Sequence, residues 1–271
     1  MVSIQAFTTG YVRIRPSQIV SEINNGAKEI LADQNWSDWL PITCWLLDHP
    51  EEGLILVDTG ETSKTMSPGY LPKFHPYYQK AVEFNVQPED EIGPQLFQAG
   101  IQPACIKHVI LTHLHTDHSG GLHYFPNSKI WVTKQEWLAS KGLNGWINGY
   151  LRKKWPKWLS PNFIEFEDGK YFNFDNHKKF TPDGSINIIP TFGHSPGHVS
   201  IIIEGNTIPL IIAGDASYTT DLMLSGQGGA TMDKEGFYSL SQLSHYVQES
   251  SAKYLPTHEI GVGEKLHAIS H

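Results

Sequence analysis

The stretch Leu111-Thr112-His113-Leu114-His115-Thr116-Asp117-His118 places three imidazoles and a carboxylate within six positions, just ahead of Gly120-Gly121. Lys107 to Thr112 reads as a short buried strand that delivers the cluster to a strand end. Alternate residues of an extended chain share a face, so His113 and His115 can turn toward one cation. Asp117 and His118 lie past the bend and can serve a neighbouring one. Zinc takes imidazole nitrogen at about 2.0–2.1 Å and carboxylate oxygen at a similar range, which suits these donors. A single loop histidine is ordinarily just solvated, but four donors packed this closely need another explanation.

Two ions need further ligands. His194 in Thr191-Phe192-Gly193-His194, Asp215 in Ala213-Gly214-Asp215 and His258 in Pro256-Thr257-His258 each follow a predicted strand. Those strands are Ile186 to Pro190, Thr207 to Ala213 and Lys253 to Leu255. Val199 to Ile203 is a fourth, joined to its successor by a hairpin turn at Glu204-Gly205-Asn206. Upstream, Cys44 to Leu47 and Leu54 to Val57 read as adjacent strands, the second ending at Asp58-Thr59-Gly60. Asp58 fits equally a turn residue and a carboxylate that orients a ligating histidine.

Glu89 to Ala99, with Gly100 beyond it, has the charge asymmetry of a capped helix. Ile130 to Val132 predicts a strand, and Thr133-Lys134-Gln135-Glu136 has the form of a capping box. Phe237, Leu240, Leu243 and Val247 recur at helical spacing, predicting one amphipathic helix from about Asp233 to Glu249. Between Trp131 and Trp158 stand tryptophans 131, 137, 146, 155 and 158, interleaved with glycines and with the basic run Arg152-Lys153-Lys154. This segment, around 140–162, reads as an insertion into a single domain spanning 1–271. It is suited to line a channel, pack in the core or build a homodimer contact.

The 271 residues suffice for one sizeable core, and the net charge of −8 argues against nucleic acid or an anionic membrane as partner. No stretch approaches the roughly 20 apolar residues of a membrane span, and the N-terminus lacks a secretory pattern, so a cytoplasmic location is expected. The two cysteines, Cys44 and Cys105, are expected to be buried thiols.

With Leu56-Val57-Asp58-Thr59-Gly60, the H-x-H-x-D-H motif at His113 to His118, Gly193 to His198 and Ala213-Gly214-Asp215, the chain resembles the metallo-β-lactamase superfamily over nearly its whole length. The resemblance implies an α/β fold, the αββα sandwich of that superfamily, with the site at the edge of two sheets. It implies His113, His115 and His194 on one metal, Asp117, His118 and His258 on a second, and Asp215 bridging them. Oxygen-reducing di-iron members carry Glu where His115 stands, and the best-known zinc β-lactamases carry Cys where Asp215 stands, which speaks against both chemistries.

Asp215-Ala216-Ser217-Tyr218 is similar to the segment of N-acyl-homoserine lactonases in which a tyrosine three positions after the bridging aspartate hydrogen-bonds the substrate carbonyl. That resemblance implies Tyr218 as an oxyanion donor. Separately, the chemistry of a metal-bound hydroxide makes Asp117 a candidate proton relay. The expected reaction is opening of a small-molecule lactone by hydroxide shared between two zinc ions, with cobalt, manganese or iron also able to fill the site. Another ester or thioester hydrolase of the glyoxalase II, esterase or phosphotriesterase kind is the alternative. A nuclease is a third reading.

Overall fold

The computed structural model describes residues 1–267. Its strands are β1 (Ser3–Ile14), β2 (Leu40–His49), β3 (Gly53–Val57), β4 (Val82–Asn85), β5 (His108–Ile110), β6 (Lys129–Thr133), β7 (Asn162–Ile164), β8 (Lys178–Lys179), β9 (Ile186–Pro190), β10 (Val199–Ile203), β11 (Leu210–Gly214) and β12 (Lys253–Pro256). They form a seven-stranded sheet in the order β4-β1-β2-β3-β5-β6-β7 and a five-stranded sheet in the order β12-β11-β10-β9-β8.

Side chains alternate across a strand, and here both faces are apolar. Trp45, Leu47, Ile55 and Val57 point inward from the first sheet and meet Ile188, Val199, Ile201 and Ile212 of the second. Their neighbours Cys44, Leu46 and Leu56 point outward against Ile92 and Leu96 of the helix Ile92–Gln98. On the far side, Ile189, Ile202 and Ile211 pack against Leu240 and Leu243 of the helix Lys234–Ser250. The layers therefore run helix, sheet, sheet, helix, as the resemblance implies. Burying a large aliphatic side chain of this kind contributes about 1.5–3 kcal/mol.

Strands β3, β5, β6 and β7 run parallel. β10 opposes both β9 and β11, and β12 parallels β11, so β9, β11 and β12 share a direction. Their C-terminal ends meet those of β3 and β5 at one edge, where the Val199 N–H donates to the Thr112 carbonyl at 2.9 Å.

Several local expectations change. The helix expected over 89–99 is split into a 3-10 turn Pro88–Asp90 and the helix Ile92–Gln98, because Gln87 and Asp90 cap each other around Pro88 and Glu91 is extended. β11 starts at Leu210 rather than Thr207, so the link from β10 is a longer loop than a tight hairpin turn. Cys44 is buried, but Cys105 is exposed at the end of a surface 3-10 turn. Within 140–162, the Arg152 guanidinium lies 3.9 Å from the Trp137 ring centroid and 5.6 Å from that of Trp155, fastening the segment through cation–π contacts. Among the described residues, no helix is long and apolar enough to cross a membrane.

Candidate metal centre

Asp58, leaving β3, has φ +60, a left-handed turn conformation. Its carboxylate accepts from Thr112 N–H, Thr112 Oγ1 and His118 Nδ1, each at 2.8 Å. It is thus at once the turn residue and the carboxylate that orients a histidine. With Nδ1 donating, His118 turns Nε2 inward. His258 behaves alike: its Nδ1 donates to the Pro41 carbonyl at 2.8 Å, while Nε2 lies 3.3 Å from Asp215 Oδ2 and 3.5 Å from Asp117 Oδ2.

Nearby, His115 Nδ1 sits 3.0 Å from both His113 Nε2 and His194 Nε2. The potential ligand atoms of three groups each lie within 4.8 Å of one another: His113, His115 and His194; His113, His118 and Asp215; and Asp117, His118 and His258. Asp215 spans them, with Oδ1 3.3 Å from His118 Nε2 and Oδ2 3.6 Å from His194 Nε2. All seven residues singled out in the sequence as ligands are therefore brought together.

The residues fit a cation. His118 Nε2 and Asp215 Oδ1 are buried and face each other at 3.3 Å, yet neither makes a well-formed hydrogen bond among the described residues, an arrangement that is costly without a cation. Burial, reinforced by the neighbouring imidazoles, holds His113 well below the usual histidine range; burial likewise outweighs the Asp215 charge at His194. These rings keep free lone pairs. At His118, burial is overcome by the carboxylates of Asp215, Asp58 and Asp117, which hold it well above that range.

Two side chains support the site without having been expected there. His198 Nδ1 donates to the Thr191 carbonyl at 3.1 Å, and its Nε2 accepts the Asp215 N–H at 3.0 Å, fixing the backbone of the spanning carboxylate. Burial lowers His198 to about 3, so it stays neutral in this role. Glu136 corrects the capping box. Thr133 Oγ1 does accept the Glu136 N–H at 3.1 Å, but the Glu136 carboxylate turns into the core. One oxygen accepts from Leu114 N–H at 3.0 Å and Tyr150 O–H at 2.8 Å; the other from Ser195 O–H at 2.8 Å and Gly197 N–H at 2.9 Å. It thereby ties the His113–His118 loop to the loop carrying His194.

A cavity of about 760 Å³ opens onto this cluster. His115, Asp117, His194, Asp215 and His258 lie at its floor, and Val12, Ile14, Ile30, Val82 and Phe84 give it an apolar wall. Tyr218 sits between the two, its ring stacked on His258 at 5.4 Å. Gln18 Nε2 donates to the hydroxyls of Tyr218 and Tyr77, both at 3.1 Å. Tyr218 then accepts from Gln18 and keeps its own hydrogen to donate. Burial, with the Asp215 charge, pushes this phenol well above its usual range, so that hydrogen is retained at neutral pH. Of the five tryptophans between 131 and 158, Trp146 lines the cavity.

The model of the metallo-beta-lactamase superfamily matches residues 37–258. An N-acyl homoserine lactonase from a Bacillus species is 30% identical over 227 residues, 82% of each chain. The N-acyl homoserine lactonase AttM of Rhizobium radiobacter is 28% identical over 241 residues, 83% of this chain and 84% of its own. In structure, an N-acyl homoserine lactone hydrolase with N-hexanoyl-L-homoserine bound at its catalytic metal centre superposes with a TM-score of 0.75 at 24% identity. That likeness covers 98% of this chain and 95% of the other, and it concerns the fold.

Proposed function

The chain belongs to the metallo-beta-lactamase superfamily, and on that footing we propose that this hydrolase opens the ring of N-acyl homoserine lactones, removing quorum signals. His113, His115 and His194 would hold one zinc ion and Asp117, His118 and His258 a second, with Asp215 reaching both. When bound, such a pair supplies Lewis acidity and a water of lowered pKa.

This chain's residues then do the rest. Tyr218 donates its O–H to the lactone carbonyl oxygen and stabilises the charge that develops there on attack. Asp117, at the cavity floor beside His258, is placed to pass a proton to the leaving ring oxygen. Ring opening releases a carboxylate and a free hydroxyl and needs no nucleophile from the protein. The apolar wall from Val12 to Phe84 accommodates an acyl chain. We take residues 1–271 as one domain, with the insertion around 140–162 closing one side of the cavity.

The observation that carries the reading is Tyr218, held by Gln18 with a hydrogen free to donate beside the donor cluster. In a proton-release assay on metal-replete enzyme, long-chain acyl lactones should be turned over faster than glutathione thioesters or phosphotriesters. Tyr218→Phe should cost about a hundredfold in kcat. Preference for the thioester would favour a glyoxalase II-like hydrolase, and full activity of the variant would remove Tyr218 from the reaction.

A further inference from the structure

Between residues 133 and 160 the chain carries Lys134, Lys141, Arg152, Lys153, Lys154 and Lys157 against one acid, Glu136, which is fully buried. From 62 to 80 it carries Lys64, Lys73 and Lys80 and no acid. These segments touch. His75 Nε2 meets the Trp146 carbonyl at 2.7 Å, Tyr78 donates to the Gly149 carbonyl at 2.5 Å, and the Lys154 ammonium lies 4.2 Å from the Tyr70 ring centroid.

Where they meet, large apolar side chains stand in water. Phe74 is 90% exposed and Ile147 56%, and both line the mouth of the cavity. Leu143, 70% exposed, is one turn before Ile147 on the helix Gly142–Ile147 and shares its face. An exposed apolar cluster of this kind marks a contact surface. Its surroundings select the partner. A symmetric dimer through this face would set lysines against lysines, which disfavours a second copy. A nucleic-acid backbone would engage the lysines but gain nothing from Phe74, Leu143 and Ile147. An anionic lipid surface uses both: headgroups neutralise the lysines while the apolar tips enter the acyl boundary. The net charge of −8 conceals this local excess.

We propose that the rim of Phe74, Leu143 and Ile147, flanked by Lys73, Lys141, Lys153 and Lys154, docks on an anionic bilayer with the cavity mouth facing the lipid. An amphiphile dissolved in that leaflet would then enter polar head first toward the donor cluster, its tail following along the apolar wall, without crossing bulk water. The docking itself is independent of which ester the enzyme cleaves.

Co-sedimentation of the full chain with vesicles tests it. Binding is expected to phosphatidylcholine vesicles containing phosphatidylglycerol and not to phosphatidylcholine alone, with release at about 1 M salt, where the screening length falls to ~3 Å. Lys153→Glu with Lys154→Glu, and separately Leu143→Glu, should each lower partitioning by about tenfold or more while leaving the thermal unfolding midpoint in place. The proposal is overturned if the wild type sediments equally with both vesicle types or with neither, or if the variants partition like the wild type. A lipid-free dimer abolished by Leu143→Glu would instead assign the face to a second copy, and binding to an acidic protein without affinity for vesicles would assign it to that class; either overturns the proposal.

Discussion

The two walls of the cavity differ in how they are held. The donor wall consists of side chains at strand ends, and its most central members, His113, His118, Asp215 and His258, are buried and fixed by Asp58, His198 and Glu136. The facing wall comes from Val12 to Leu31, Phe74 to Phe84 and Trp146 to Tyr150, joined by a few bonds between distant segments such as Gln18 to Tyr77 and His75 to Trp146. One wall is over-determined and the other is assembled. Changes on the donor wall should therefore abolish chemistry or folding, whereas changes on the facing wall should tune it.

Asp215→Ala should have the largest effect. It deletes the carboxylate that reaches both histidine groups, and activity should fall by about a thousandfold or more, since a metal pair stabilises transition-state charge by several kcal/mol. Metal content after dialysis, measured by atomic emission, should fall with it. A variant retaining two ions and full turnover would break the distinction between the walls.

Glu136→Gln should come next, read by chemical denaturation. Both oxygens of Glu136 accept a backbone N–H, so a carboxamide must oppose its own N–H to that of Leu114 or Gly197. The expected loss is about 2–3 kcal/mol, despite the matching shape. Gln18→Leu tests the facing wall. It should reduce kcat by about tenfold, the value of roughly one orienting hydrogen bond, and do nothing further in a Tyr218→Phe background. A loss that simply adds to that of Tyr218→Phe would detach Gln18 from the phenol.

The smallest effect per step concerns pH. Glu61, buried beneath the motif, accepts from Thr116 O–H at 2.6 Å and Thr62 N–H at 2.8 Å. Burial, with the charges of Asp117 and Glu91, raises it from 4.5 to about 8 against those bonds. The folded state then holds a proton that the unfolded state releases. Stability contributed here falls as pH rises from about 4.5 to about 8, by roughly 1 kcal/mol per pH unit, and levels off above. In chelator-stripped protein, Glu61→Gln, whose carboxamide can donate to Thr116 Oγ1, should lack that slope. Parallel denaturation curves for the two proteins across this window would break the assignment.

The donor wall was largely legible in the sequence because its information is local. His113 to His118 is one contiguous stretch running into the helical turn Thr116–Ser119, and His194, Asp215 and His258 each follow a short strand. The facing wall is legible only in part: the Trp-rich segment reads as suited to line a channel and Trp146 does line the cavity, but Gln18 and Tyr218 meet across 200 positions and nothing near Gln18 signals it. β1 is hidden in the sequence because its polar residues blur the alternation and its pairing slips between Thr8 and Tyr11 around Gly10, whose φ is +97. At Glu136 the Thr-x-x-Glu pattern is ambiguous, since a full capping box has the same form; here its N-cap half forms, while tertiary contacts take the carboxylate. The structure supplied the inward turn of that side chain.

The hydrogen bond from His75 to the Trp146 carbonyl has a consequence for how the protein can change. The bond reaches a main-chain oxygen, so Trp146 can be exchanged for another residue without losing the join. Tyr78 grips Gly149 through its carbonyl in the same way. Side chains of this segment are thus free to drift while it stays docked, and a mutational library confined to Trp146, Ile147 and Asn148 should yield folded enzymes with altered substrate range. Selectivity can evolve here on a chassis whose chemistry stays fixed.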